Sequence, residues 1–292
     1  MNKVFFFLLI VSIQFCAQHK EVKPTKFSNN LSFSSGIATD YLTWNISGNL
    51  AGENPNVLSE LEWKNLLGIN FTVNFETWYK NFGVSINYSN AKYFKGDAID
   101  TDYTEDDRMG VNFFSKLDAK DSEANQLELK VNYKLLKKES FVLMLGIGYA
   151  LLNQNFKLKD NSSLNSSYQP KWQGLLLNTK AEFELNKINI YPYVSYFQLD
   201  YTAKANWNLI ADFKQPVSFE HFANGFGLKT GVLLEWQLLK KLYLQLNYFY
   251  QYSSTGKGFE KLYLIDDSVK TTRINDVTRR NQLLTLGLNF KI

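Results

Sequence analysis

Residues Ser59–Asp107 read SELEWKNLLGINFTVNFETWYKNFGVSINYSNAKYFKGDAIDTDYTEDD and describe one hairpin. Within Leu67–Phe75 the odd positions are apolar and the even positions are small or polar. That period of two is the signature of a strand with one apolar face and one polar face. After a break at Lys80-Asn81 the alternation resumes over Phe82–Tyr88 and leads into an acidic stretch. The pattern predicts a strand, a tight turn, a second strand and a charged connection.

The rest of the chain repeats this hairpin. The alternation is clear again in 127–135, 175–185, 242–250 and 284–292. Ten segments have strand character: 31–48, 57–79, 81–96, 125–137, 140–157, 172–186, 188–206, 219–239, 240–256 and 277–292. Tight turns alternate along the chain with four long connections, which are 97–124, 158–171, 207–218 and 257–276.

The polar faces of these segments carry full charges in mid-strand, for example Lys130, Lys180 and Glu182. A wet lumen permits such charges, whereas the dry core of a sandwich does not. Short turns at one end and long connections at the other are typical of outer-membrane barrels. We therefore predict an all-β fold, a ten-stranded antiparallel transmembrane β-barrel. The alternative is a periplasmic or secreted β-sandwich, because its strands alternate in the same way.

The N-terminus has the pattern of an export signal. Residues 1–17, MNKVFFFLLIVSIQFCA, contain one lysine, then an apolar run, then small residues before Gln18,. We predict a signal peptide over 1–17, a loose tail over 18–30 and the barrel over 31–292, with the mature protein in the bacterial outer membrane. The alternative is a lipoprotein attached through Cys16, the only cysteine of the chain,.

The composition of the chain favours a membrane barrel and argues against nucleic-acid binding. Aromatic residues make up 16% of the chain, which suits a barrel with aromatic girdles at both membrane interfaces,. The net charge is only +4 and no basic stripe accompanies a motif, which argues against a nucleic-acid partner,.

Two short motifs resemble those of the omptins, a family of ten-stranded outer-membrane endopeptidases. SELEWK at Ser59–Lys64 is similar to a Ser-x-Leu-acid-Trp-Lys stretch in the second omptin strand. Asp100-Thr101-Asp102 is similar to the catalytic Asp-x-Asp pair at the end of the third strand. The resemblance implies an omptin-like barrel with a cleft at its outer rim. It also implies an Asp pair that faces a His-Asp dyad, with water between them to attack a peptide bond.

The candidate catalytic residues are Asp100, Asp102 and His221, the one histidine of the predicted barrel. Imidazole can accept a proton near neutral pH, and a neighbouring carboxylate fixes its orientation. Phe219 stands two residues before His221, where the omptin pattern has aspartate, so the dyad is predicted to be incomplete. A substitute carboxylate would have to fold back from one of three loop residues, Asp212, Asp266 or Asp267.

Each candidate has a simpler interpretation. The acidic run Asp97–Asp107 is typical of a solvated loop, and its spacing lacks the defined pattern of a calcium loop,. His221 alone fits a polar residue at the rim. Trp63 fits an interface aromatic, and Lys64 a charge of the lumen or rim.

Three arginines lie in or beside the last long connection: Arg273, Arg279 and Arg280. Guanidinium groups there could bind lipopolysaccharide phosphates, or they could simply keep the loop soluble. We predict no cofactor and no metal, with lipopolysaccharide as the candidate bound lipid. The expected partners are outer-membrane lipid, including lipopolysaccharide, and a peptide or protein at the extracellular cleft.

The primary functional hypothesis is an omptin-like barrel that is non-catalytic or impaired and has a binding or surface role. The alternative is an active endopeptidase that uses an Asp pair and a histidine to activate water. A small diffusion pore is the third hypothesis. It is disfavoured because ten strands enclose little space once charged side chains fill the lumen, here Lys130, Lys134, Lys180, Glu182 and Glu184,.

Overall fold

The computed structural model describes residues 27–160 and 164–292. The predicted signal peptide, Cys16 and most of the predicted tail lie outside these residues. The described chain forms twelve strands: β1 (Ser28–Ile46), β2 (Ser59–Tyr79), β3 (Phe82–Tyr103), β4 (Val111–Asp118), β5 (Ser122–Lys138), β6 (Phe141–Lys159), β7 (Asn165–Leu185), β8 (Ile188–Asn206), β9 (Phe219–Leu239), β10 (Leu242–Thr255), β11 (Gly258–Tyr263) and β12 (Val269–Lys291). One 3₁₀ turn, Asp106–Arg108, lies between β3 and β4.

The sheet closes on itself. β1 pairs with β2 on one side and with β12 on the other, and every pairing is antiparallel. β4 and β5 both pair with β3, and β11 pairs with β9 and β12 in line with β10. β4 and β5 therefore act together as one interrupted strand, and so do β10 and β11. The twelve strands thus occupy ten positions around the ring. The predicted ten-stranded antiparallel barrel is confirmed.

A band of apolar side chains surrounds the barrel. Phe71, Val84, Leu177 and Leu286 all face outward and are exposed, as predicted for that face. Exposed aromatic residues border the band, with Tyr79 and Trp236 near the tight turns and Tyr149 among those at the opposite border. Such a band places these segments in a lipid bilayer. No helix of the described residues is both long enough and apolar enough to cross a membrane.

The connections at the end away from the tight turns are shorter than predicted. β3 continues to Tyr103, and β4, β11 and the first part of β12 occupy sequence that we expected to be loop. What remains are the connections 47–58, 104–110, 207–218 and 264–268, and the segment between the end of β6 at Lys159 and the start of β7 at Asn165. The prediction was wrong because strands that rise above the bilayer face water on the outside. They no longer show the apolar outward row by which the membrane strands were recognised.

The interior has two distinct parts. Above the apolar band, buried aromatic and aliphatic side chains fill the barrel, and we call this cluster the outer core. Its aromatic members include Trp44, Trp63, Trp172, Tyr168, Phe156 and Phe219. At the level of the band the interior is polar and contains cavities of about 170 and 210 Å³, which we call the inner lumen. Only the inner lumen matches the wet interior that the sequence predicted.

Candidate functional site

Asp100 and Asp102 lie near the outer end of β3, well above the apolar band. Register shifts between β2 and β3 around Lys64 and Leu67 set the inward face of this segment, and Ala98 and Asp100 are buried on it. Asp100 is only 5% exposed. Burial, and then the neighbouring Asp102, raise the pKa of Asp100 to about 7. Burial also raises the pKa of Asp102, against an opposing hydrogen bond with Ser59.

His221 lies on the inward face of β9, as predicted, but it is not at an open rim. The residue is fully buried. Its Nδ1 lies 2.8 Å from the Tyr168 hydroxyl, and its Nε2 lies 2.8 Å from Glu260 Oε2. The Trp44 ring meets the imidazole edge-on at a centroid distance of 4.9 Å, and Phe219 lies on another side at 5.1 Å. Both ring nitrogens are therefore occupied inside the outer core.

Glu260 supplies the carboxylate that the sequence analysis did not find. It stands directly opposite His221 in the β9–β11 ladder and is itself buried. Thr272 donates a long hydrogen bond of 3.4 Å to its other oxygen. Glu260 was missed because β11 lies in sequence that was expected to be loop, so no cross-strand neighbour was considered.

The three carboxylates that were predicted as substitutes do not contact His221. Asp267 pairs with Lys214, and Asp266 accepts hydrogen bonds from Ser268. Asp212 is exposed in the connection between β8 and β9.

Tyr168 connects the histidine to a second phenol. The hydroxyl groups of Tyr168 and Tyr201 lie 2.5 Å apart, and Trp63 stacks on the Tyr168 ring at a centroid distance of 5.1 Å. Burial is the first cause that raises the pKa of both phenols, so both remain protonated donors at neutral pH. Tyr201, Tyr168, His221 and Glu260 therefore form one buried hydrogen-bonded chain.

Trp63 and Lys64 differ from their simpler interpretations. Trp63 is fully buried in the outer core, where its indole donates to the Lys157 carbonyl, so it is not an interface aromatic. Lys64 lies on the outward side of β2 and pairs with Glu62 at 2.9 Å. The register shift beyond Lys64 explains both positions, because it exchanges the inward and outward residues of β2.

A buried ion pair separates the outer core from the inner lumen. Arg279 donates from Nε and Nη2 to the Asp40 carboxylate at 2.6–3.2 Å, and Tyr93 donates to the same carboxylate at 2.8 Å. Gln154 extends this layer to the indole of Trp172.

The three arginines predicted to reach lipopolysaccharide are in different environments. Arg279 is buried inside the barrel and has no surface for a lipid phosphate. Arg273 donates to the carbonyl groups of Ala51 and Gly52 in the first connection. Arg280 is exposed on the outward face, with its guanidinium 5.4 Å from the centre of the Tyr41 ring.

The inner lumen holds paired charges. Lys229 binds Glu128, and Lys180 lies 3.5 Å from Glu76. Of the five charged residues predicted to fill the lumen, four line these cavities: Lys130, Lys134, Lys180 and Glu182. Within residues 27–160 and 164–292, no group of three or more His, Cys, Asp or Glu side chains is arranged to hold a metal ion.

Comparison with known proteins extends this description. The family model described as Pom, Protochlamydia outer membrane protein, matches residues 32–292. The outer membrane protease OmpT from Escherichia coli is similar at a TM-score of 0.72 and 14% identity, over 91% of this chain and 97% of that one. OprG from Pseudomonas aeruginosa gives a TM-score of 0.40 at 12% identity, over 90% of this chain and 95% of that one. No protein with a curated description matches.

At 14% identity the likeness to OmpT concerns the fold. This likeness agrees with the predicted barrel fold, and the family model confirms the predicted outer-membrane location. The omptin family assignment itself stays a prediction. Short turns lie on the periplasmic side in outer-membrane barrels, so we expect the tight turns there and the outer core outside the cell.

Proposed function

This chain belongs to the Protochlamydia outer membrane protein family, and on that premise we propose that it binds a partner at the cell surface without cleaving it. One observation carries the proposal. His221, the one barrel histidine, has both ring nitrogens hydrogen-bonded and is enclosed by aromatic rings. A general base must reach the proton that it removes, directly or through one water. His221 has no exposed surface with which to do so.

A peptidase assay tests this proposal. The purified protein, refolded with lipopolysaccharide, is incubated with a fluorogenic peptide that carries paired basic residues, and OmpT serves as the positive control. We expect no cleavage. Turnover that disappears in both Asp102→Asn and His221→Ala would overturn the proposal.

An active endopeptidase is the second candidate, and the Glu260 contact favours it. A carboxylate 2.8 Å from the imidazole nitrogen is the orienting group that the sequence lacked at Phe219. In this mechanism Asp100 and Asp102 would position a water, His221 would take its proton, and the resulting hydroxide would attack the peptide carbonyl. The amine would then leave with that proton. One nitrogen of His221 must first be released from Tyr168 and exposed.

The two candidates differ in their response to Glu260→Gln. If the protein is a peptidase, the variant loses turnover because the imidazole loses its orienting charge, while KM for the peptide changes little. If the pair is only part of the outer core, neither the parent nor the variant has turnover to lose. Measuring both proteins with the same peptide separates these outcomes.

A diffusion pore remains disfavoured, because the outer core and the Asp40–Arg279 layer lie across the lumen. Planar-bilayer recording tests this directly. We expect no steady ion conductance from the parent protein, whereas steady single-channel steps would restore the pore hypothesis.

Lipopolysaccharide is proposed as a partner at the outward surface. Arg280 supports this role, since it is exposed just above the apolar residues Leu284 and Leu286 of β12, at the height of lipid headgroups. Arg280→Ala should reduce the thermal stabilisation that added lipopolysaccharide gives, whereas Lys257→Ala, an exposed change further from the bilayer, should not. Equal stabilisation of both variants would remove Arg280 from this role.

A further inference from the structure

β4 has one edge that no other strand of the described residues occupies beyond Asp118. Over Ala98–Asp102 of β3 it forms a regular antiparallel ladder. On its other side, a single bridge from Asp118 to Lys159 joins it to β6. β6 ends at that bridge, while β4 continues upward to Val111. Among the described strands, β4 is unpaired on this side over Val111–Leu117, a longer stretch than Val269–Thr272 of β12, which lack a strand on the β1 side.

The hydrogen-bond pattern shows which backbone groups face that edge. The Ala119 amide donates to the Gly96 carbonyl of β3, which makes Ala119 and Gly96 a hydrogen-bonded pair of the ladder. Bonded and non-bonded pairs alternate in an antiparallel ladder. In the β3–β4 register, Ser115 and Leu117 therefore bond to β3, and the amide and carbonyl groups of Phe114 and Lys116 point to the free edge.

The side chains along this edge do not protect it. Natural proteins usually blunt a free edge with charges, proline or a covering segment. Here Phe114 is 62% exposed and Val111 is 58% exposed. Lys116 is the one charged residue that faces outward between them and Asp118, and it is paired with Asp97 at 3.2 Å. A strand with unpaired backbone groups and exposed apolar side chains is a template for an added strand.

The negative charge near the free edge of β4 favours a partner strand that carries positive charge. Residues 97–121, which form the hairpin of β3 and β4, contain eight acidic and three basic residues, a net charge of −5, whereas the whole chain has a net charge of +4. Asp100 and Asp102 face inward on β3, one strand away from the free edge. An added strand would lie about 10 Å from β3, two strand spacings away, so long basic side chains can reach these carboxylates.

We propose that the free edge of β4 binds an extended cationic segment of a partner protein, which adds to the sheet as a further strand. Its backbone pairs with Phe114 and Lys116, and an apolar side chain on its outward face packs on Phe114. This inference deepens the proposed binding role by naming the surface and the class of partner.

A second copy of this chain does not fit the edge. Two barrels in one membrane are related by rotation about the membrane normal, which leaves both β4 strands descending toward the bilayer. Barrel strands tilt by roughly 35–45°, so the two edges would cross at roughly 70–90° instead of pairing. A segment that is free to align with β4 has no such restriction.

Peptide binding to the intact refolded barrel tests the proposal. The probe is a fluorescein-labelled alternating valine–lysine peptide, followed by anisotropy. Lys116→Pro removes one free-edge amide, and Lys116→Ala is its matched control, since it removes the same charge and keeps the amide. We expect Lys116→Pro to weaken binding at least tenfold relative to Lys116→Ala.

The peptide can also be varied. Methylating alternate backbone nitrogens removes the donors along one edge without changing charge or side chains, and this should abolish binding. An alternating valine–glutamate peptide should not bind. Absence of binding by the parent peptide, or equal binding of the methylated peptide, would overturn the proposal. Neither result depends on peptidase activity, so the edge and the proposed absence of cleavage fail independently.

Discussion

The outer core and the inner lumen lie on the same strands but have opposite distributions of polar and apolar side chains. At the level of the bilayer, apolar side chains face out and polar side chains face a wet interior. Above the bilayer the arrangement is inverted, with polar residues outside and aromatic rings inside. The surrounding solvent accounts for the inversion. Water surrounds the upper part, which therefore buries its apolar side chains inside as a soluble domain does, whereas lipid surrounds the lower part.

β1 and β2 achieve this inversion in two ways. In β1 the inward positions stay the same, and the residue types change from Ser32 below to Leu42 and Trp44 above. In β2 a register shift between Lys64 and Leu67 exchanges the two faces, so that Trp63 is buried although Phe71, also an odd position, faces lipid. Asn65 lies at that shift with a positive φ of 55°.

The largest test of the comparison is at the boundary between the two parts. Arg279→Met leaves the Asp40 carboxylate buried without its counter-ion, and breaking a buried pair in this way costs about 3–5 kcal/mol. We expect this loss in the free energy of unfolding, measured by urea titration in detergent micelles with tryptophan fluorescence.

The matched control for Arg279→Met replaces both partners. Asp40→Leu with Arg279→Met leaves no orphaned charge and should recover most of the loss. If the single and double variants are equally unstable, the layer is held by side-chain packing and not by the ion pair.

The sequence predicted the part of the barrel that faces lipid and missed some of the part that faces water, namely β4, β11 and the first part of β12. Alternation at 67–75 and 284–292 gave strand identity, facing and closure, because lipid demands a uniform apolar row,. Alternation at Leu61 and Trp63 looks the same, yet these residues face inward. No local signal marked Glu260 as the partner of His221. The two residues are 39 positions apart in the sequence, and their contact depends on the register between β9 and β11.

A substitution at Asp100 tests whether burying an ionised carboxyl at the edge of the outer core lowers the free energy of unfolding. Its folded pKa of about 7 lies above the ordinary 3.8, so its contribution to stability is unfavourable when it is ionised. The cost is absent below pH 4, grows as the pH rises, and is complete above pH 7. Asp100→Asn should therefore stabilise the protein at pH 8 by about 4 kcal/mol and by little at pH 4.

The control for Asp100→Asn is the neighbouring carboxyl. Asp102→Asn should show a smaller change in the same direction, because Asp102 is more exposed and Ser59 stabilises its ionised form. Urea midpoints at both pH values measure the two variants. A gain for Asp100→Asn that does not depend on pH would assign the effect to packing.

Tyr168→Phe tests the hydrogen-bonded chain inside the outer core with almost no change in shape. The variant leaves the Tyr201 hydroxyl and His221 Nδ1 without their shared partner, and such buried orphans cost about 1–3 kcal/mol,. Tyr196→Phe is the control, since its hydroxyl is on the exposed outward face. Equal urea midpoints for Tyr168→Phe and the parent would mean that water reaches this site.

The smallest expected effect comes from the same kind of ion pair placed in the inner lumen. Lys180 and Glu76 lie 3.5 Å apart beside the two cavities, with side-chain exposures of 25% and 14%. Water in the lumen can solvate a charge left alone there, so Lys180→Met should cost less than about 1 kcal/mol, against about 3–5 kcal/mol for Arg279→Met. Both changes give methionine in place of a cation bound to a carboxylate. The difference between their urea-unfolding free energies therefore isolates the surroundings, and equal losses would mean that the inner lumen is as dry as the outer core.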